Sequence, residues 1–143
     1  MIRKMEARDK EAVLAMMRVF YASPAVLTGG SEEIFQRDID NCLGENPFVE
    51  GYVMEENGVL QGYAMIAKSY STEFGKNCIW IEDIYIRETY RGKGIGSGFL
   101  KYITELYPHC VYRLEVEEEN AQAIHTYEKC GFQVLPYMEM KKE

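Results

Sequence analysis

Arg91-Gly92-Lys93-Gly94-Ile95-Gly96 sets three glycines at every second position between two stretches of different character. The stretch before it, Cys78-Ile79-Trp80-Ile81-Glu82-Asp83-Ile84-Tyr85-Ile86, is rich in β-branched and aromatic residues and predicts a strand. The stretch after it, Ser97 to Tyr107, has helical spacing and stops at Pro108. A glycine-rich turn that opens a helix offers unpaired backbone N–H groups beside the positive end of the helix dipole. Glycine also lets a ligand approach the backbone without meeting a Cβ. Such a turn is an anion site, best suited to phosphate. Two carboxylates, Glu82 and Asp83, sit inside the strand that feeds the turn, where acidic residues are depleted. By simple alternation Glu82 shares a face with Ile84 and Ile86, and Asp83 shares one with Tyr85.

Two common phosphate loops do not fit. The P-loop needs four residues between its first glycine and Gly-Lys-Ser/Thr, and here Gly92-Lys93 runs into Gly94. The dinucleotide fingerprint G-x-G-x-x-G fails at Ser97 counted from Gly92 and at Phe99 counted from Gly94. Arg-x-x-Gly-x-Gly does fit. Further along, Asn120-Ala121-Gln122-Ala123-Ile124-His125-Thr126-Tyr127-Glu128-Lys129-Cys130-Gly131-Phe132 reads as a short helix, with Asn120 as N-cap and Gly131 just past its end. Asn120, Ala123, Ile124 and Tyr127 share one face of it. These two blocks, in this order, resemble the coenzyme A motifs of the GNAT N-acetyltransferase family, and the resemblance runs over the whole chain.

The resemblance implies acetyl-CoA as cosubstrate and direct acetyl transfer to an amine, without a covalent enzyme intermediate. It implies that the fourth and fifth strands splay apart, and that backbone of Ile84, Tyr85 and Ile86 pairs with the pantetheine arm. The N–H groups of Gly92, Lys93, Gly94, Ile95, Gly96 and Ser97 would hold the pyrophosphate, with Arg91 reaching a phosphate and Asn120 and Tyr127 completing the cofactor side. Arg87, Arg91, Lys93 and Lys129 would supply local positive charge. Tyr127 matches the tyrosine that in many members lies near the coenzyme A sulfur, so it is the expected general acid. Ile-Glu-Asp-Ile-Tyr-Ile resembles the Glu-Asp strand of polyamine and diamine acetyltransferases, so Glu82 is the first candidate base and Asp83 the second. The bland alternative is that Glu82 is an edge-exposed carboxylate, or one salt-bridged to a neighbour such as Arg113. Glu115 and Glu117 have weaker grounds on the acceptor side. Tyr21, Ser23, Thr28 and Tyr70 fall in segments that cover the acceptor pocket in the family. Glu88 stands where many members have proline.

These groups need a scaffold, and the rest of the chain predicts one. Ile2–Met5 reads as a strand, and Asp9 caps a helix carrying Val13, Met16, Met17 and Phe20 on one face. Ser31 starts a second helix that Gly44 and Pro47 close. Phe48–Glu56 and Val59–Tyr70 are strands joined by Asn57-Gly58, a strong hairpin signal. Val111–Glu117 and a terminal pair near Phe132–Val134 and Tyr137–Lys141 complete the strands. The expected fold is a mixed α/β domain over residues 1–143, with a mostly antiparallel sheet of six to seven strands and about four helices.

Composition narrows the partners. The 143 residues are 47% hydrophobic, which excludes a disordered chain. Net charge is −7 and no basic patch is visible, which argues against nucleic acid and mildly favours a cationic acceptor. No apolar run reaches the ~20 residues that span a bilayer, so no membrane partner is expected and the cytoplasm is the expected compartment. The four cysteines form no C-x-x-C pair, and no metal is expected. Neither His109 nor His125 is assigned a role. GNAT proteins often dimerise through sheet edges or terminal strands, so a homodimer is an expectation from the resemblance. Two function classes stand: an N-acetyltransferase acting on a small-molecule amine or a peptide, and a non-catalytic acyl-CoA sensor. Only the first needs Tyr127 and a carboxylate.

Overall fold

The computed structural model describes residues 1–143. In chain order the elements are β1 (Ile2–Lys4), α1 (Lys10–Tyr21), α2 (Glu32–Leu43), β2 (Val49–Glu56), β3 (Val59–Ser71), β4 (Lys76–Ile86), α3 (Ile95–Leu106), β5 (Val111–Leu114) and α4 (Ala121–Lys129). One sheet holds the strands in the order β1-β2-β3-β4-β5. Its first three pairings are antiparallel, and β4–β5 is parallel, with α3 as the crossover.

Alternation along the central strands divides the core between two faces. Val53, Tyr63, Met65 and Tyr85 pack under α1 and α2 with Val13, Met17, Phe35 and Ile39. Tyr52, Met54, Ala64, Ile66, Ile79 and Ile81 pack on the other face against Phe99, Leu100 and Ile103 of α3. Asn57 and Gly58 both take positive φ, at 51° and 78°, as a two-residue hairpin turn requires. The Ser31 hydroxyl accepts from Ile34 N at the start of α2, as expected.

Asp9 occupies the N-cap of α1 but makes no capping bond to the helix. Its oxygens accept instead from the Arg3 guanidinium at 2.8 and 2.9 Å and from Glu6 N at 2.8 Å, because a nearly buried carboxylate gains more from a bidentate cation. The sheet has five strands, not six or seven. The expected terminal pair does not form, and residues 132–143 carry no strand. Pro136 removes a donor from the middle of that segment, and β5 is only four residues long. Val134, Met138 and Met140 are left exposed.

β3 and β4 approach closely at Gly62, which pairs with Ile86. A Cβ added there would lie 2.4 Å from the carbonyl oxygen of Tyr85, a backbone atom with no room to yield. Gly62→Ala is therefore expected to destabilise the protein by about 3 kcal/mol in urea titration, and a loss under about 0.5 kcal/mol would contradict the close approach.

Candidate active site

β5 pairs with β4 only from Cys78↔Val111 to Ile81↔Leu114. The break coincides with a bulge. Met65 pairs with Asp83 and Ile66 with Ile81, which leaves Glu82 as the extra residue of β4. The bulge corrects the simple alternation. Ile79, Ile81, Ile84 and Ile86 all pack toward the α3 side, so Ile81 and Ile84 share a face across the irregularity, and Glu82 does not belong with Ile84 and Ile86. From Glu82 onward β4 has no neighbour on its β5 side. Backbone groups there that turn away from β3 lack ladder partners.

A cleft of about 720 Å³ opens where the strands part. Glu82, Ile84, Tyr85 and Ile86 form one wall; Arg91, Gly92, Gly94, Ile95, Gly96 and Ser97 form its end. The opposite wall is Leu114–Glu117 with Asn120, Ala123 and Tyr127, so the two sequence blocks meet in one space. Gly92 and Gly94 have φ of 77° and 80°, in the left-handed region, and a Cβ on either would meet nothing within 4 Å. Gly94 is the N-cap of α3 and supplies no side chain to its first amides, which leaves them open to an anion. Asn120 does cap α4, accepting from Ala123 N at 3.2 Å.

The cationic residues separate. Arg91 lines the cleft, but its Nε donates to Ile86 O at 2.8 Å and its guanidinium lies over the Tyr85 ring, so it also ties the loop to the end of β4. Lys93 lies over Tyr90 and does not line the cleft, and neither do Arg87 and Lys129.

The carboxylates separate too. Glu82 is exposed on the cleft wall, and its carboxyl is pushed up, first by partial removal from water and then by Glu139 and Asp38. Asp83 is 4% exposed and does not line the cleft; its oxygens accept from Tyr21 at 2.8 Å and Tyr63 at 2.7 Å. Desolvation raises it to about 6 although both hydroxyls pull it down. Glu115 is raised to about 7, chiefly by the hydrogen bond it shares with the Glu139 carboxyl. Arg113 stacks on Trp80 at 4.7 Å and makes no bridge to Glu82. Tyr127 packs on Phe132, and burial alone raises its phenol, so it holds its proton firmly. Ser23 is on the cleft wall; Thr28 and Tyr70 are not.

Val19, Pro24 and Ala25 also line the cleft without having been expected there, and Phe20, expected only on the apolar face of α1, joins them. The only local signal there is Pro24, which cannot continue the helix. Glu139 was missed because it belongs to a tail expected to be a strand.

Comparison with known proteins agrees with this geometry. Residues 14–132 match the acetyltransferase (GNAT) family. The thialysine N-epsilon-acetyltransferase of Sus scrofa is 33% identical, over 92% of this chain and 82% of its own length. The spermine/spermidine N(1)-acetyltransferase of Bacillus subtilis (strain 168) is 34% identical, over 53% of this chain and 54% of its own. In fold, the chain is similar to "a possible acetyltransferase from Clostridium difficile 630", with a TM-score of 0.84 and 21% identity over 100% of this chain and 96% of that one. The chain belongs to the GNAT family and is an acetyltransferase, and that family uses acetyl-CoA. No helix is long and apolar enough to cross a membrane.

The glycine loop gives a direct test. Gly94→Val puts a β-branched residue at φ 80° and a side chain into the open end of the cleft. It should weaken acetyl-CoA binding by at least about 100-fold in calorimetry while costing about 1–2 kcal/mol of stability. Retained affinity would contradict the loop as the anion site.

Proposed function

We propose that this enzyme transfers the acetyl group of acetyl-CoA to a primary amine of a small, polycationic molecule of the diamine or polyamine kind. One observation carries the reading: the cleft has chemically opposite ends. One end is a glycine turn opening α3 with Arg91 beside it, suited to pyrophosphate. At the other, where β4 and β5 part, Glu82 and Glu115 line the cleft with Glu139 close enough to raise both, a cluster suited to ammonium groups. The names of the two relatives above, on thialysine and on spermine and spermidine, support an acceptor of this class.

When bound, acetyl-CoA supplies an activated acetyl thioester. The unpartnered backbone of β4 beyond the bulge suits the pantetheine arm, which is extended and carries amides. An N–H from this stretch is well suited to polarise the thioester carbonyl. Glu82 is the group to orient the acceptor ammonium and take its proton, directly or through water. Its raised carboxyl is the better base for that. Tyr127 keeps its phenol protonated in the half-buried wall opposite and returns a proton to the departing sulfur. The ammonium gives up two protons in all. One passes through Glu82 to solvent before attack. The second leaves the nitrogen as the tetrahedral adduct collapses and replaces the proton that Tyr127 gave to sulfur. Amide, free thiol and one released proton result, with Glu82 again a carboxylate and Tyr127 again a phenol.

Thiol release from acetyl-CoA, followed against polyamines, diamino acids, aminoglycosides, amino sugars and a lysine peptide, tests the reading. Turnover with the polyamines or diamino acids is expected, and turnover with only the peptide would overturn the small-molecule acceptor. In the same assay Tyr127→Phe should lower kcat by about 10²-fold while leaving acetyl-CoA affinity within about twofold. An unchanged kcat, measured where chemistry limits the rate, would remove Tyr127 from the acid role.

A further inference from the structure

Asp83 lies next to Glu82 in the chain, yet the two have different surroundings. Glu82 is the unpaired bulge residue facing the cleft, whereas Asp83 returns to register opposite Met65 and turns into the core. Each of its oxygens already accepts one hydroxyl, Oδ1 from Tyr21 and Oδ2 from Tyr63. No cation pairs with it, and at 4% exposure it offers nothing to a substrate amine. A carboxylate suits this place because it accepts on both oxygens, whereas an amide would turn a donor toward one of the two hydroxyls.

The two donors come from different parts of the fold. Tyr63 is fully buried in the middle of β3. Tyr21 is the last residue of α1, and Ser23, Pro24 and Ala25 immediately after it line the cleft. Its ring packs against Phe35 of α2 at 5.0 Å and against Phe20 at 5.4 Å. Gly30 closes the same corner, since a Cβ on it would lie 2.5 Å from the Phe35 ring and 3.2 Å from that of Tyr21. The Tyr21 hydroxyl therefore ties the segment that forms one cleft wall to β4 at the residue beside Glu82.

We propose that Asp83 is a positioning residue: clamped between Tyr21 and Tyr63, it sets the distance between the Ser23–Ala25 wall and the Glu82 bulge, and so fixes the acceptor end of the cleft without touching the acceptor. This rests on the reading of Glu82 as the acceptor carboxylate. The geometry separates the two tyrosines. Losing the Tyr21 hydroxyl releases the cleft wall, whereas losing the Tyr63 hydroxyl frees one carboxylate oxygen within the core and leaves the wall tied.

The test compares Tyr21→Phe with Tyr63→Phe in the full chain. Tyr21→Phe is expected to raise the KM for the amine five- to tenfold while the KM for acetyl-CoA stays within twofold. Tyr63→Phe is expected to change the amine KM less than twofold, although it lowers Tm. Equal effects of both variants on both KM values, in step with lost stability, would reduce the clamp to a structural role and overturn the proposal. No effect of Tyr21→Phe on either KM would overturn it as well. Hydrogen exchange reads the clamp without any acceptor: Tyr21→Phe should speed exchange in peptides spanning Ser23–Ala25 and Glu82–Ile84, and unchanged exchange there would overturn it. Failure of the wild-type chain to acetylate any amine would count against the acceptor reading alone, because the exchange result stands apart from it.

Discussion

β4 and β5 part after Ile81 and Leu114, and the cleft exists because they do. A parallel strand pair normally continues until one strand ends, since each further residue satisfies backbone groups that are costly to leave unpaired. Here the extra residue at Glu82 breaks the register with β3 and re-aims β4 just where β5 stops. The sheet thus carries a stretch of backbone without a β5 neighbour, in which Arg91 satisfies Ile86 O and the ladder beyond Ile81 is otherwise unfilled on that side. That stretch lies between a carboxylate-rich end and a glycine turn, and the tyrosine of α4 closes it from the other side.

Electrostatics follows from the same geometry. The chain carries −7 overall, which alone would oppose an anionic cosubstrate. The turn answers this locally with oriented amides at the α3 N-terminus and one arginine held by Ile86 O, rather than with a cluster of lysines. Carboxyls gather at the other end, where Glu82 is raised first by partial dehydration and Glu115 first by its hydrogen bond with Glu139. An arriving ammonium would relieve both. A single cleft therefore presents opposite preferences to the two reactants of one transfer.

Much of this was legible in the residues. The glycine spacing at 92, 94 and 96 and the Asn120–Tyr127 face pointed to two walls of one site, because local backbone rules fix both and neither depends on distant packing. Asn57-Gly58 and Ser31 gave a turn and a cap for the same reason. What was not legible depended on long-range contacts. Strict alternation put Glu82 with Ile84 and Ile86, since a bulge depends on how β3 and β4 pair and leaves no local mark. Asp83 looked equivalent to Glu82 until two tyrosines, one 62 residues away in sequence and one 20, filled its oxygens. The course of the Lys93 side chain, over Tyr90 rather than along the cleft, had no local mark either. The terminal strands failed because hydrophobic alternation cannot say whether an edge exists to pair with.

The central claim is that the splayed β4 and the glycine turn together hold acetyl-CoA. Amide hydrogen exchange with and without acetyl-CoA tests it most directly, because it reads those backbone groups themselves. The account predicts new protection at Ile84–Ile86 and Gly92–Ser97, with little change in α2 and β1. Binding of acetyl-CoA with no protection at either segment would contradict it.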